Sequence, residues 1–199
     1  MSRRFADIID LYLLSGSEFT RRLRAVRPEQ WAAPTPCPEW DVRSLVNHMT
    51  RGNLGYVALL NGGSAAEFLR LRDTDALHGD PVCAYVRSMR ECAAAFGAPG
   101  ALDRTLDHPL GTVSGEQGLA IRTTDATIHS WDLARAINAQ EELHPRLVSW
   151  VEENLAETYA GLAESPLTAD TSHRFFAAPA APPLAEESRQ ARLLRLMGR

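Results

Sequence analysis

The stretch TTDATIHSWDLARA, residues 123–136, places an ionisable pair on the inward face of a predicted helix. Residues four apart on a helix are stacked neighbours, so Asp125 and His129 lie on one line of that face. The same line carries the aliphatic side chains of Ile121 and Leu133. Burying a carboxylate and an imidazole costs free energy unless a partner pairs with them. Two interpretations stay open at this point: a hydrogen bond between the pair on a solvated helix face, or a divalent metal site.

Apolar periodicity near 3.6 residues continues on both sides of this stretch and predicts several more helices. Asp41 and Asp80 are suitable N-caps, and Ser114 with Gln117 has the spacing of a capping box. The predicted helices are Phe5–Val26, Val42–Leu60, a short one near Phe68–Arg72, Pro81–Phe96, one capped by Ser114 and ending near Ile137, one beginning at His144 and Pro145 and ending near Leu162, and a short amphipathic one at Glu186–Met197.

Four or five helices of about 20 residues with only weak strand signal predict an all-α bundle, with extra short helices and a C-terminal tail. Residues 101–113 alternate loosely between apolar and polar, which fits either a short hairpin or an extended connection. We predict a helical bundle over residues 1–165. Residues 166–199 form an Ala- and Pro-rich tail whose short terminal helix packs on the bundle or on a partner.

The composition limits the possible functions. A chain of 199 residues suits one domain, and its net charge of −4 without a basic cluster argues against a nucleic-acid or anionic-membrane surface. All 21 basic residues are arginine, which excludes a Schiff-base lysine. No segment has the roughly 20 apolar residues of a membrane span or the pattern of a signal peptide, so we expect a cytoplasmic protein. A homodimer is compatible with the apolar tail.

The three cysteines form neither a CxxC pair nor an even set, which argues against a disulfide framework or a thiolate zinc site. Cys83 and Cys92 are most simply small core residues. Cys37 lies in a proline-rich loop before the second helix and is interpreted as a packed loop residue that could face the same cavity as His48.

His48 supplies a third donor beside Asp125 and His129. It falls next to Leu45 and Met49, hence near the buried side of the second helix. Helical bundles build metal sites from side chains on facing helices, and three nitrogen or carboxylate donors match a catalytic zinc site with an open position. The remaining histidines are expected to be exposed, in loops or at helix starts: His78, His108, His144 and His173.

Two segments, TPCPEWDVRSLVNHM around His48 and DATIHSWDLARAI around His129, resemble the DinB-like superfamily. The resemblance is to actinobacterial proteins related to the N-terminal domain of mycothiol-dependent maleylpyruvate isomerase, and it extends from Phe5 to about Leu162. It implies a four-helix bundle that holds a divalent metal, usually Zn²⁺ although Ni²⁺ or another ion is compatible, through His48, Asp125 and His129. Relatives commonly have His or Glu at the position of Asp125, and the shorter side chain puts the ligand geometry in doubt.

The resemblance also implies a reaction. Relatives of known activity bind a low-molecular-weight thiol on the metal as a thiolate, so a mycothiol-type cosubstrate and an electrophilic small molecule are the expected partners. Asp132 is the candidate catalytic residue, either as a base or by orienting a ligand, although a salt bridge to Arg135 or Arg43 is an equal alternative. The chain after Leu162 is too short to match the isomerase's additional domain, which predicts a reaction other than maleylpyruvate isomerisation. The alternatives are a non-catalytic metal or small-molecule binding protein and a metal-dependent hydrolase.

Overall fold

Seven α-helices and one short hairpin make up the described part of the chain, which in this computed structural model comprises residues 5, 7–38, 40–162 and 186–199. The helices are α1 (Ile8–Leu23), α2 (Val42–Leu60), α3 (Ala65–Arg70), α4 (Pro81–Gly97), α5 (Gly115–Ala136), α6 (Pro145–Thr158) and α7 (Arg189–Leu196). The strands are β1 (Thr105–His108) and β2 (Gly111–Ser114).

Four of these helices, α1, α2, α4 and α5, form a bundle. Both α1 and α2 pack against α4 and α5, so the four helices close a ring around one hydrophobic core. Phe19, Leu45, Tyr85 and Leu119 are among the fully buried side chains at its centre. The predicted all-α four-helix bundle is confirmed.

Helix α5 is the central element, because every residue from 117 to 134 is buried. Its hydroxyl side chains tolerate burial by bonding to backbone carbonyls one turn back. Thr123 donates to the carbonyl of Leu119 at 2.8 Å, Thr127 bonds to Thr123 in the same way, and Ser130 donates to Ala126 at 2.7 Å. The helix can therefore be enclosed on all sides, and it carries its charged residues into the interior.

The predicted N-caps are confirmed. Asp41 and Asp80 each accept a bond from a backbone N–H in the first turn of α2 and α4. Ser114 likewise caps α5, but the predicted capping box there is wrong. The Gln117 side chain donates to the carbonyls of Thr158 and Ala160 instead, because the end of α6 lies within its reach.

Residues 101–113, for which two conformations were open, form a turn followed by the antiparallel hairpin. Thr105 pairs with Ser114 and His108 with Gly111, and the alternation of the strand turns Leu106 and His108 inward. Cys92 is buried as expected, but the prediction that Cys83 is a core residue is wrong, because it lies on the outer face of α4 and is exposed. Among the described residues, none of the helices combines the length and apolar content that a bilayer span needs.

A second hydrophobic cluster lies on the far side of α5. Ile128 and Trp131 of α5 pack there with α6 and with Leu193, Leu194 and Met197 from the C-terminal segment. The predicted C-terminal helix is present as α7, which contacts α6. The predicted domain boundary near residue 165 lies outside the described residues and stays a prediction.

The start of α5 depends on a close backbone approach at Gly115. A Cβ atom there would lie 2.1 Å from the carbonyl oxygen of Ala101, so we expect Gly115→Ala to lower the free energy of unfolding by more than about 1 kcal/mol. Gly97→Ala is the matched control, since a Cβ atom at Gly97 meets nothing within 4 Å and should be neutral or slightly stabilising. Urea unfolding monitored by circular dichroism compares them, and equal midpoints for the two variants would contradict the expectation.

Candidate metal centre

His48 on α2 and the pair Asp125 and His129 on α5 meet in the interior of the bundle. The Nε2 atom of His129 lies 3.1 Å from Asp125 Oδ1, and the Nε2 atom of His48 lies 3.4 Å from Asp125 Oδ2. One donor atom from each of the three residues falls within 4.8 Å of the others. The structure thus brings together all three predicted metal ligands, with Asp125 and His129 buried and His48 half-buried.

His48 presents a nitrogen that makes no hydrogen bond at this place, although it lies 3.4 Å from Asp125 Oδ2. Its Nε2 atom is buried and has no hydrogen-bond partner, while its ring packs against Trp40 with centroids 4.7 Å apart. Burial lowers the pKa of His48, which favours the neutral imidazole. The neutral imidazole is the state that a metal ligand requires.

Asp125 is held by a buried arginine on its own helix. Arg122 donates through Nη1 to Asp125 Oδ2, through Nε to Asn53 Oδ1 at 2.8 Å, and through Nη2 to the carbonyl of Met49. Gly52 of α2 permits this approach, because a Cβ atom there would lie 2.8 Å from Arg122 Nη1. Burial acts to raise the pKa of Asp125, but His129, His48 and Arg122 outweigh it and hold the carboxyl ionised.

His129 lies between two carboxylates. Its Nε2 atom faces Asp125, and its Nδ1 atom lies 2.8 Å from Asp132 Oδ2. Burial opposes a charge on the ring, yet Asp125, Asp132 and the Cys37 thiol together raise the pKa of His129 well above its usual value. Without a metal the ring is therefore protonated on both nitrogens and carries a positive charge. A cation bound at Nε2 would take the place of the Nε2 proton and of its charge.

Asp132 is completely buried and is paired with Arg199. Arg199 donates through Nε to Asp132 Oδ1 at 2.6 Å and through Nη2 to Asp132 Oδ2 at 2.9 Å. The predicted salt bridge of Asp132 to Arg135 or Arg43 is wrong. Arg135 instead pairs with Glu141 and Arg43 with Asp75, since both arginines point away from the bundle.

Cys37 lies in the same cluster. Its Sγ atom is 3.3 Å from Asp132 Oδ2, 3.2 Å from Arg199 Nη2 and 3.8 Å from His129 Nδ1. Cys37, His129 and Asp132 form a second group of metal-type donors, but a guanidinium already lies against it. This group therefore supports His129 and does not constitute a second cation site.

A cavity of about 470 Å³ opens beside the three ligands, and both His48 and Asp125 line it. Most of its wall is aromatic or aliphatic. Three arginines, Arg51, Arg72 and Arg122, also line it. The remaining lining side chains include Trp40, Tyr56, Phe68, Leu71, His108, Ile121 and Tyr159. The cavity gives a small molecule access to the candidate ligands.

His108, expected to be exposed, is buried in this wall, because the inward side of β1 faces Tyr56. The N–H of Leu110 donates to its Nδ1 atom at 3.1 Å, so the neutral ring carries its proton on Nε2 and donates to Tyr56 Oη at 3.1 Å. His78 is exposed as predicted, and His144 is half-buried at the start of α6, where it caps the helix. His173 lies outside the described residues.

The buried ring of His108 predicts a pH dependence of stability. Burial lowers its pKa to about 4, below the value of about 6.5 in the unfolded chain. Between these values the unfolded state binds more protons, so stability falls as the pH falls, by at most about 1.4 kcal/mol per pH unit. We expect His108→Asn to remove this contribution, which urea unfolding between about pH 5 and pH 7 measures as a flatter slope than in wild type. Parallel slopes would contradict a buried neutral His108.

Several residues of the site were not identified from the sequence. Arg122 had a usable signal, since it lies three residues before Asp125 on a helix with few other charges. Tyr56, Tyr159 and Arg199 had none, because they reach the site through contacts between elements distant in the chain. Their roles became apparent only from the tertiary structure.

Known proteins resemble this chain in sequence. Residues 13–134 match the family described as the mycothiol maleylpyruvate isomerase N-terminal domain. Uncharacterized proteins from two strains of Mycobacterium tuberculosis are each 33% identical to the chain over 129 residues, which is 65% of this chain and 66% of the relative. The match thus spans just under two thirds of these relatives.

Solved structures resemble it in fold. The crystal structure of the mycothiol-dependent maleylpyruvate isomerase superposes with a TM-score of 0.58 at 15% identity, and that of a histidine-to-alanine mutant of the enzyme with 0.61 at 14%. Each comparison covers 75% of this chain and 68% of the other. The predicted DinB-like fold is confirmed, and since the family match covers more than half of the sequence, the chain belongs to the mycothiol maleylpyruvate isomerase N-terminal domain family.

Proposed function

We propose that the chain is a thiol-dependent enzyme of the isomerase or transferase type, which uses a mycothiol-type cosubstrate and acts on an electrophilic small molecule. The observation that carries this proposal is the convergence of His48, Asp125 and His129 beside a cavity that His48 and Asp125 line, with the Nε2 atom of His48 buried and without a hydrogen bond. The mycothiol dependence of the isomerase with the same fold supports a thiol as cosubstrate.

We propose further that the three residues hold a divalent ion, with zinc the first candidate. Two imidazole nitrogens and one carboxylate form a donor set that suits zinc and leaves a coordination position open. Asp125 fits this role because Arg122 occupies only its Oδ2 atom, so that Oδ1 stays directed at His129. The chemistry that such an ion supplies is a lowered thiol pKa, which makes the nucleophilic thiolate available at neutral pH.

The contacts of Asp132 support an orienting role and not that of a base. Both of its oxygens accept hydrogen bonds from Arg199, and Oδ2 also bonds to His129. The side chain has no exposure and does not line the cavity. A group so enclosed is well placed to fix the His129 ring and poorly placed to take a proton from a ligand.

The cavity provides the binding surface for the electrophile. Its largely aromatic and aliphatic wall favours an apolar or planar body, while Arg51 and Arg72 favour an anionic group. At the same wall, His108 donates to Tyr56 Oη and leaves the Tyr56 proton available for a ligand oxygen. The Tyr159 hydroxyl is also buried without a partner, so a ligand oxygen there would satisfy it.

Metal content and thiol coordination test the proposal. Purified tag-free protein should carry about one divalent ion per chain. After replacement by Co²⁺, mycothiol should give a thiolate-to-cobalt absorption band and should support turnover of electrophiles. Metal without thiol coordination would instead favour the hydrolase or the binding protein, and protein that neither carries nor takes up a stoichiometric ion would overturn the metal centre.

A further inference from the structure

The C-terminal segment places one guanidinium inside the protein, against Asp132. Arg199 contacts both oxygens of that carboxylate, at 2.6 Å and 2.9 Å, and its side chain is only 4% exposed. Planar pairs with two parallel bonds fix the orientation of a carboxylate as well as neutralising it. Arg199 therefore determines how the plane of Asp132 is turned.

Asp132 in turn determines the orientation of His129. Its Oδ2 atom lies 2.8 Å from Nδ1 of the imidazole, while Nε2 on the other side of the ring faces Asp125 at 3.1 Å. A rotation of the ring about its side-chain bonds would move both nitrogens together. A fixed Asp132 thus keeps Nε2 directed at the other candidate ligands.

The packing and the ending of α7 place Arg199 against Asp132. Leu193, Leu194 and Met197 anchor α7 in the second hydrophobic cluster. The helix then ends in a left-handed turn at Gly198, with φ of 73°, where the N–H of Arg199 bonds to the carbonyl of Leu194 at 2.8 Å. This is a Schellman ending, which reverses the chain direction after the helix. Arg199 enters the bundle directly after that reversal.

We infer that Arg199 is a positioning residue, which acts through Asp132 to hold the metal ligand His129 in its binding orientation. The inference rests on the proposed function, since it takes His129 to be a metal ligand. It assigns a role to a segment outside residues 13–134, the part that matches the family. The C-terminal helix is then a support for the site and not only a cover for the second cluster.

Zinc affinity tests this role. We expect Arg199→Ala to weaken Zn²⁺ binding by about 10- to 100-fold, measured by competition with a chromophoric chelator, which is the usual effect of losing an outer partner of a metal ligand. Arg199→Lys keeps the charge but loses the two parallel bonds, so its loss should be intermediate. The matched control is Arg192→Ala, which removes an α7 cation paired with Glu152 and leaves Asp132 untouched. Its affinity should match wild type.

A double-mutant cycle identifies the route. If Arg199 acts through Asp132, Arg199→Ala should add little to the loss already caused by Asp132→Asn. The ¹⁵N signal of His129 Nδ1 in metal-free protein, which reports its contact with Asp132, should shift in Arg199→Ala and not in Arg192→Ala. This second readout does not depend on zinc, and a merely structural role of α7 would not separate the two variants.

The outcomes separate two failures. Wild type that binds no zinc overturns the metal centre, and the positioning role with it. Wild type that binds zinc, with Arg199→Ala within twofold of it, overturns only the role of Arg199. An equal loss in Arg192→Ala also overturns that role, because it would assign the effect to the docking of α7 as a whole.

Discussion

Replacing His129 with alanine is expected to weaken zinc binding by at least about 100-fold, because loss of a direct ligand exceeds the 10- to 100-fold effect of losing an outer partner. The Nε2 atom of His129 is one of three donors within 4.8 Å of one another, and the described side chains within that distance include no other nitrogen that could replace it. Equilibrium competition with a chelator measures the loss. Metal analysis of the purified variant should agree with it.

His78→Ala is the control for His129→Ala. His78 is a histidine on an exposed loop far in sequence from the cluster, so its removal should leave affinity and stoichiometry unchanged. Both proteins must lack a histidine tag, which would bind the same ions. If His129→Ala retains wild-type affinity, the ion is bound elsewhere, and the proposed function loses the observation that carries it.

The pair Asp125 and His129 could be predicted from local spacing, and His48 joined it through its buried position and the family resemblance. Asp125 and His129 are four residues apart on one helix, and His48 falls beside apolar residues of another. The supporting groups could not be predicted in the same way. Arg199 lies 67 residues from Asp132, and Cys37 lies 95 residues from it, so neither contact has a spacing that the sequence displays.

Helix boundaries could be predicted where local capping chemistry alone determined them. The N-caps Asp41 and Asp80 follow from local chemistry, and the helices that they begin start and end close to the expected residues. Where two requirements competed, the prediction failed. Gln117 has the spacing of a capping box, yet its side chain donates to the carbonyls of Thr158 and Ala160 at the end of α6. Thr158 is buried, and leaving its carbonyl without a hydrogen bond would cost free energy.

Arg122→Leu is expected to lower the free energy of unfolding by about 3–5 kcal/mol, the usual effect of removing one partner of a buried ion pair. The side chain of Arg122 is only 2% exposed and bonds to Asp125, Asn53 and the carbonyl of Met49. Without Arg122, the buried carboxylate of Asp125 loses the positive charge that is paired with it. Urea unfolding in the presence of a chelator measures this effect without a contribution from bound metal.

Arg135→Leu is the control on the same helix. Arg135 is 58% exposed and pairs with Glu141 at the surface, so its replacement should change stability by no more than about 1 kcal/mol. A loss of less than about 1 kcal/mol in Arg122→Leu would mean that the metal-free site does not need this guanidinium.

The double variant Arg122→Leu/Asp125→Leu separates the charge from the packing. Removing both partners takes away the buried carboxylate together with its counter-charge, so stability should recover a large part of the single variant's loss. If the double variant is as unstable as Arg122→Leu, the role of Arg122 lies in its bonds to Asn53 and to the backbone of α2. Recovery would instead show that Arg122 stabilises the protein mainly by compensating the buried charge of Asp125. Arg122, which was not among the predicted site residues, would then be linked to Asp125, the candidate ligand whose residue type is least usual among relatives.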